Sequence, residues 1–174
     1  MTADRGARDE EFTAFVLAYG RRLLHLAELL TSDPALAEDL AQTALSRTYA
    51  AWHRIDGDPR AYAHATMLNA QRDWWRRRPW RERPWPDAPV ELVSGEDFPA
   101  DQARRALVLD ALQRLSTNER AVVALRYYLD LSEIQTAQQL RMPTGTVKST
   151  LARALGKLRA DPTLKRGATA EETT

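Results

Sequence analysis

Apolar residues recur every three or four positions along almost the whole chain, and nowhere do they alternate at a spacing of two. Phe12, Phe15, Val16, Tyr19, Leu23, Leu26, Ala27 and Leu30 form one stripe. Leu36, Leu40, Ala44, Leu45, Tyr49 and Trp52 form a second, and Ala63, Met67, Ala70 and Trp74 a third. Side chains three and four residues apart share one face of a helix, so this period predicts helices. No strand pattern competes, and the predicted fold class is all-α.

The breaks between stripes organise the chain. Asp33-Pro34 and Asp58-Pro59 each place a capping carboxylate before a proline, where a helix has no use for the missing N–H. Asp56-Gly57 interrupts the second and third stripes. Pro79, Pro84, Pro86 and Pro89 then end regular structure. Helical pattern resumes near Asp101 with Leu107, Leu109, Leu112 and Leu115. Ser116-Thr117-Asn118-Glu119 and Ser132-Glu133-Ile134-Gln135 both read as capping boxes, in which hydroxyl and carboxyl or amide satisfy two orphan N–H groups reciprocally. Val122, Val123, Leu125, Arg126 and Tyr127 continue the helix from the first box. The expectation is two small helical domains on a Pro-rich acidic linker: 10–78, linker 79–103, and 104–162. Met1–Arg8 and Arg166–Thr174 read as tails.

Composition narrows the function classes. The chain has 174 residues, enough for one ordinary domain or two small ones. It has no cysteine, which removes disulfides, thiolate nucleophiles and Cys-ligated zinc or iron–sulfur sites. No apolar run approaches the roughly 20 residues of a membrane span, and no signal-peptide pattern opens the chain. The expected home is the cytoplasm, without membrane insertion.

The formal charge of +1 says little, but its distribution says more. Positions 72–83 hold six arginines against Asp73 and Glu82. Positions 87–101 hold five carboxylates and no base. Positions 141–166 hold seven bases against Asp161. Two basic blocks thus flank an acidic spacer.

The second basic block lies on a recognisable motif. A capped short helix from Ser132, a tight turn at Arg141-Met142-Pro143 and a longer basic helix from about Thr144 to Ala160 make a helix-turn-helix. In that motif the second helix enters the major groove and its N-terminal residues meet the base edges. Here those residues are small, hydroxylated or cationic: Thr144, Gly145, Thr146, Val147, Lys148, Ser149 and Thr150. Hydroxyls and Lys148 suit phosphates and base acceptors, with Arg153 and Lys157 one and two turns on. Val147, Leu151, Ala154, Leu155 and Leu158 make the core side.

The third helix carries Tyr62, His64, Thr66, Asn69, Arg72, Asp73, Trp75 and Arg76. Arginines interleaved with Trp74, Trp75, Trp80 and Trp85 suit unpaired bases, because rings stack and guanidinium groups hold phosphates. Glu38, Asp39 and Gln42 can share one helix face that suits a basic protein partner. His25, His53 and His64 show no metal-ligand spacing and no nucleophile–base arrangement, so the residues point away from an enzyme and away from a metal or cofactor.

Taken together, Ala37-Glu38-Asp39-Leu40-Ala41-Gln42, the run NAQRDWWRRR from Asn69, Asp130-Leu131-Ser132 and Gly145-Thr146-Val147-Lys148-Ser149 resemble bacterial RNA polymerase sigma factors of the small extracytoplasmic-function (ECF) class. The Trp-Trp-Arg run and Leu131-Ser132-Glu133-Ile134-Gln135-Thr136-Ala137 look most like the SigE-like actinobacterial subgroup. The resemblance spans about 10–162. It implies a first domain that binds the promoter −10 element and the β′ coiled coil of core RNA polymerase. Asp39, Leu40 and Gln42 match the polymerase-binding stretch. The loop 54–58 and the helix with Asn69, Arg72, Asp73 and Arg76 match the part that melts and reads the −10 strand. It implies a second domain that docks on the β flap and reads the −35 element through Thr144, Thr146, Lys148, Ser149 and Arg153. The linker would thread polymerase channels, and its acidity fits mimicry of nucleic acid. An anti-sigma factor as a further partner is left open.

This sequence departs from the family at three places. Arg141 stands where a glycine is common in the turn, Thr136 where a branched aliphatic is common, and Thr150 where an arginine is common. The alternative reading is a stand-alone helix-turn-helix regulator that binds duplex operators as a dimer, although no dimerisation helix is evident.

Overall fold

A computed structural model describes residues 2–77 and 99–164, with side chains placed over 6–74 and 103–164. All regular structure among these residues is helical. The chain divides into two compact units, Met1–Glu28 with Ala35–Arg83 and Leu29–Pro34 with Pro84–Thr174.

Three helices build the first unit. α1 spans Thr2–Thr31, α2 Pro34–Ala51 and α3 Pro59–Arg77. Prolines occupy the first position of α2 and α3, where their fixed φ suits a helix start. Asp58 caps α3 as its sequence context predicts, since its Oδ1 accepts the Arg60 amide at 2.9 Å. Leu23 and Leu26 of α1, Ala37, Leu40 and Ala44 of α2, and Ala63 and Met67 of α3 are buried. Each large apolar side chain so buried contributes about 1.5–3 kcal/mol. The expected tail at 1–8 is corrected: α1 is helical from Thr2. Its Arg8 guanidinium lies 4.2 Å from the Tyr49 ring centre and donates to the Tyr49 carbonyl, which ties this turn to α2.

The second unit contains α4 (Pro99–Gln113), α5 (Thr117–Val123), α6 (Glu133–Leu140) and α7 (Thr144–Ala160). α4 begins within the stretch expected as linker to 103, because Pro99 can open a helix as well as end one. Both capping boxes form: Ser116 with Glu119, and Ser132 with Gln135. α5 does not run on through Tyr127 as an α-helix. Ala124–Tyr128 widens into a π turn, closed by the Leu129 amide on the Ala124 carbonyl at 3.2 Å. Asp130 then takes a φ of 53°, and Arg126 donates to the Leu131 carbonyl. Together these bring the chain to Ser132, which caps α6.

α6 stops in a left-handed residue. Arg141 has φ 54° and ψ 45°. Its amide reaches the Gln138 carbonyl at 3.3 Å, and the Met142 amide the Ala137 carbonyl at 3.0 Å. This is the Schellman pattern, which glycine adopts without a Cβ penalty and arginine does not. α7 then packs on α5 and α6. Leu112, Leu115 and Ala154 form a buried cluster with Val123 and Leu158 against it, and Val147 and Leu140 are buried nearby in sequence. The proline run and acidic stretch of 79–98, and the tail from Arg166, lie outside the described residues.

Candidate nucleic-acid interface

The turn at Arg141 lays α7 down with one face on the domain and the other in solvent. Val147, Thr150 and Ala154 are buried, whereas Thr144, Thr146, Lys148, Ser149 and Arg153 are all exposed. The five residues expected from the sequence to form a recognition surface therefore share the open side. The Ser149 hydroxyl donates to the Thr146 carbonyl at 3.1 Å, and Arg153 reaches Thr150 Oγ1 at 3.4 Å. Thr150 itself is buried and belongs beneath the surface, not on it.

The one acid among the bases of α7 and its flanks does not neutralise that face. Asp161 is 6 % exposed and its carboxylate accepts from Arg114 and from the Thr163 amide. Hydrogen bonds from Arg114 and Thr163 hold it well below the usual carboxylate range, so it stays ionised and internally paired.

Spacing puts Lys157 near phosphates, but its place is different. Its Nζ donates to Glu119 Oε2 at 2.8 Å. The same oxygen accepts the Ser116 amide at 2.8 Å. Burial would raise the Glu119 pKa, but the Lys157 and Ser116 bonds outweigh it and hold it down. One buried carboxylate thus caps α5 and holds α7 to it.

On α3, Asn69, Arg72 and Asp73 lie within little more than one turn. Arg72 is exposed and its Nη1 lies 3.5 Å from Asn69 Oδ1, while Asn69 and Asp73 are half-buried. The side chains of Trp75 and Arg76, and Trp80 and Trp85, lie outside the described residues. The rest of the third-helix constellation divides. Tyr62 is exposed, but Thr66 is buried and His64 turns inward to α1. His64 Nε2 and the Tyr19 hydroxyl share a hydrogen bond of 2.7 Å. Burial pushes the His64 pKa to about 4, the nearby Asp58 opposing and Arg22 and Arg60 reinforcing it, so the ring is neutral near pH 7. Stripe periodicity cannot show this contact, because it gives a residue's face and not its partner.

On α2, Glu38, Asp39 and Gln42 are exposed on neighbouring positions. Leu40 is 3 % exposed and belongs to the core, so it supports this face from below instead of forming it. Among the described residues no three His, Asp or Glu side chains are placed to hold a metal ion. No described helix is long and apolar enough to cross a membrane.

A polar–aromatic helix on the first unit and a helix-turn-helix face on the second match known sequence families in the same order. The family description "Sigma-70 region 2" matches 15–81, and "Sigma-70, region 4" matches 105–158. The chain is 41% identical to the RNA polymerase sigma-E factor of Streptomyces coelicolor over 154 residues, covering 87% of this chain and 85% of that one. It is 43% identical to the sigma-E factor of Streptomyces avermitilis, covering 87% and 84%. Among solved structures it is similar in fold to the sigma factor RpoE from Bartonella quintana, described in complex with the anti-sigma factor NepR. That match has a TM-score of 0.65 and 20% identity, over 90% of this chain and 98% of that one. CnrH, described in complex with the cytosolic domain of CnrY, has a TM-score of 0.61 and 23% identity over 87% of each chain. The chain belongs to the sigma-70 family and is an RNA polymerase sigma factor of the ECF, SigE-like kind, a protein that directs transcription initiation.

Proposed function

We propose that this chain, once bound to core RNA polymerase, reads the −35 element as duplex with α7 and the −10 element as separated strand with the first unit. The observation that carries the reading is the exposed set Thr144, Thr146, Lys148, Ser149 and Arg153, standing over the buried Val147, Thr150 and Ala154. Small and hydroxylated residues at the head of α7 allow close approach to base edges, and Lys148 and Arg153 serve phosphates. The loop 54–58 with Asn69, Arg72, Asp73 and Arg76 holds and reads the melted −10 strand. Unstacking bases costs a few kcal/mol, which such a surface offsets. The face of Glu38, Asp39 and Gln42 takes the β′ coiled coil, and the second unit takes the β flap. The chain works in the cytoplasm by steering and strand capture, without a catalytic group or cofactor of its own. The fold similarity to the sigma factor RpoE, described in complex with the anti-sigma factor NepR, supports an anti-sigma partner for this chain as well.

The test begins with co-elution of the purified chain and bacterial core RNA polymerase, followed by promoter-dependent transcription. Lys148→Ala and Arg153→Ala should each weaken promoter use and lower the salt slope by about 1 for each phosphate left without its cation. Unchanged transcription and salt slope in the double variant would remove α7 as the −35 reader.

A further inference from the structure

A continuous run of six rings crosses the first unit. Tyr49 and Phe12 stand 5.0 Å apart, Phe12 and Trp52 5.2 Å edge to face, and Trp52 and Phe15 5.2 Å. Phe15 and Tyr19 follow at 5.7 Å, and Tyr19 and His64 at 5.7 Å. Phe12, Phe15 and Tyr19 come from α1, Tyr49 and Trp52 from the end of α2 and the short 3₁₀ turn Trp52–Arg54, and His64 from the second turn of α3. The run closes with the hydrogen bond between the Tyr19 hydroxyl and His64 Nε2. Glu11 of α1 adds a second polar tie, accepting from Trp52 Nε1 at 3.3 Å.

The loop 54–58 hangs between two of these rings. Trp52 precedes it and His64 follows it, and both are held on the same stretch of α1. The loop has few bonds of its own. The Ile55 amide reaches the Trp52 carbonyl at 3.4 Å, and Asp58 serves the start of α3. Gly57 sits at φ 104°, where a side chain is strained. Arg54, Asp56, Gly57 and Asp58 are exposed. A segment so open takes its position from its anchors.

We infer that Phe15 and Tyr19 of α1 are positioning residues for the loop 54–58, clamping Trp52 before it and His64 after it so that the loop meets the −10 strand in one fixed pose. The inference rests on the proposed −10 role of that loop. Aromatic pairs in such tilted and edge arrangements resist sliding, and a neutral His64 keeps the polar end of the clamp closed. Burial raises the Tyr19 pKa further above neutrality, so its hydroxyl carries its proton in that bond as an ordinary phenol does.

The experiment uses holoenzyme and a forked duplex carrying a short randomised single strand at the −10 position, selected by binding and then sequenced. Tyr19→Phe keeps the ring and removes the hydroxyl, and Phe15→Leu keeps apolar bulk and removes a ring. Each should lower enrichment of the preferred base over the others by roughly fivefold, the scale of one hydrogen bond or ring pair removed. Binding to core polymerase and to −35 duplex should be unchanged. His64→Gln, which retains a neutral partner for Tyr19, should keep most of the enrichment. If Tyr19→Phe and Phe15→Leu change only the melting temperature and leave base preference as in the parent, the clamp is merely structural and the inference falls. Arg54→Ala separates the two layers. Loss of preference in Arg54→Ala with none in the α1 variants refutes the clamp alone, whereas preference unchanged in all of them refutes the loop's −10 role and the clamp with it.

Discussion

Arg141 is held where an L-residue with a Cβ is strained, because the Schellman bonds of the Gln138 and Ala137 carbonyls require a left-handed residue at that point. The family departure at this position is visible in the sequence, but whether it matters depends on φ, which only the fold supplies. Arg141→Gly should raise the stability of the second unit by about 1 kcal/mol, the left-handed penalty partly offset by the greater freedom of glycine when unfolded. A urea melt with an unshifted midpoint would show that the turn carries no such strain. Thr136 is a second departure with a different physics. It is fully buried, and its Oγ1 has no hydrogen-bond partner among the described residues. Valine has nearly the same shape and no hydroxyl to desolvate. Thr136→Val should therefore stabilise by about 1 kcal/mol, measured by the same melts, and a destabilised variant would mean that the hydroxyl is satisfied in solution. Threonines on one basic helix look alike in a sequence. Burial separates Thr150, which lies under α7, from Thr146, which lies on its open face.

Among elements, the capped helices are the most legible part of the chain. The bounds of α7, both capping boxes and the proline starts of α2 and α3 follow from local chemistry, in which each side chain acts within a few residues of its own backbone. The π turn at Ala124–Tyr128 and the ring clamp on α1 do not show, since both depend on partners far along the chain or on a hydrogen-bond shift with no composition mark. Lys157 illustrates the same limit. By spacing it extends the basic face of Lys148 and Arg153, yet it pairs with the buried Glu119 across to α5. The two lysines of α7 should consequently fail in different ways. Lys157→Ala leaves the buried Glu119 carboxylate with its Ser116 amide but no counter-charge and should cost about 1–2 kcal/mol of stability, discounted because the lysine is half exposed. Its promoter salt slope should stay near that of the parent. Lys148→Ala should do the reverse, with an unchanged melt and a shallower slope. Equal effects of the two on the salt slope would place Lys157 on DNA after all.

In the whole molecule, the surface proposed for DNA on α7 and the surface proposed for polymerase on α2 belong to different compact units. Each unit is small for a self-sufficient core, so binding to a partner adds stability to it as well as function. Separate units also make the two proposed functions separable by mutation. Asp39 is exposed, with the buried Leu40 beneath it, so reversing its charge leaves the core of the first unit untouched. Against the basic partner face proposed for α2, Asp39→Arg sets like charge, which costs several kcal/mol and so lowers affinity at least tenfold. The variant should melt as the parent does and elute apart from core polymerase in gel filtration. Lys148→Ala, altered on the other unit, should co-elute with core polymerase and show its weakened promoter use only when the promoter is offered. If Asp39→Arg assembles normally, the α2 face is not the polymerase contact, and the exposed Glu38, Asp39 and Gln42 become an ordinary solvated surface. If Lys148→Ala also fails to co-elute, α7 contributes to assembly as well as to promoter reading, and the division of labour between the two units is wrong.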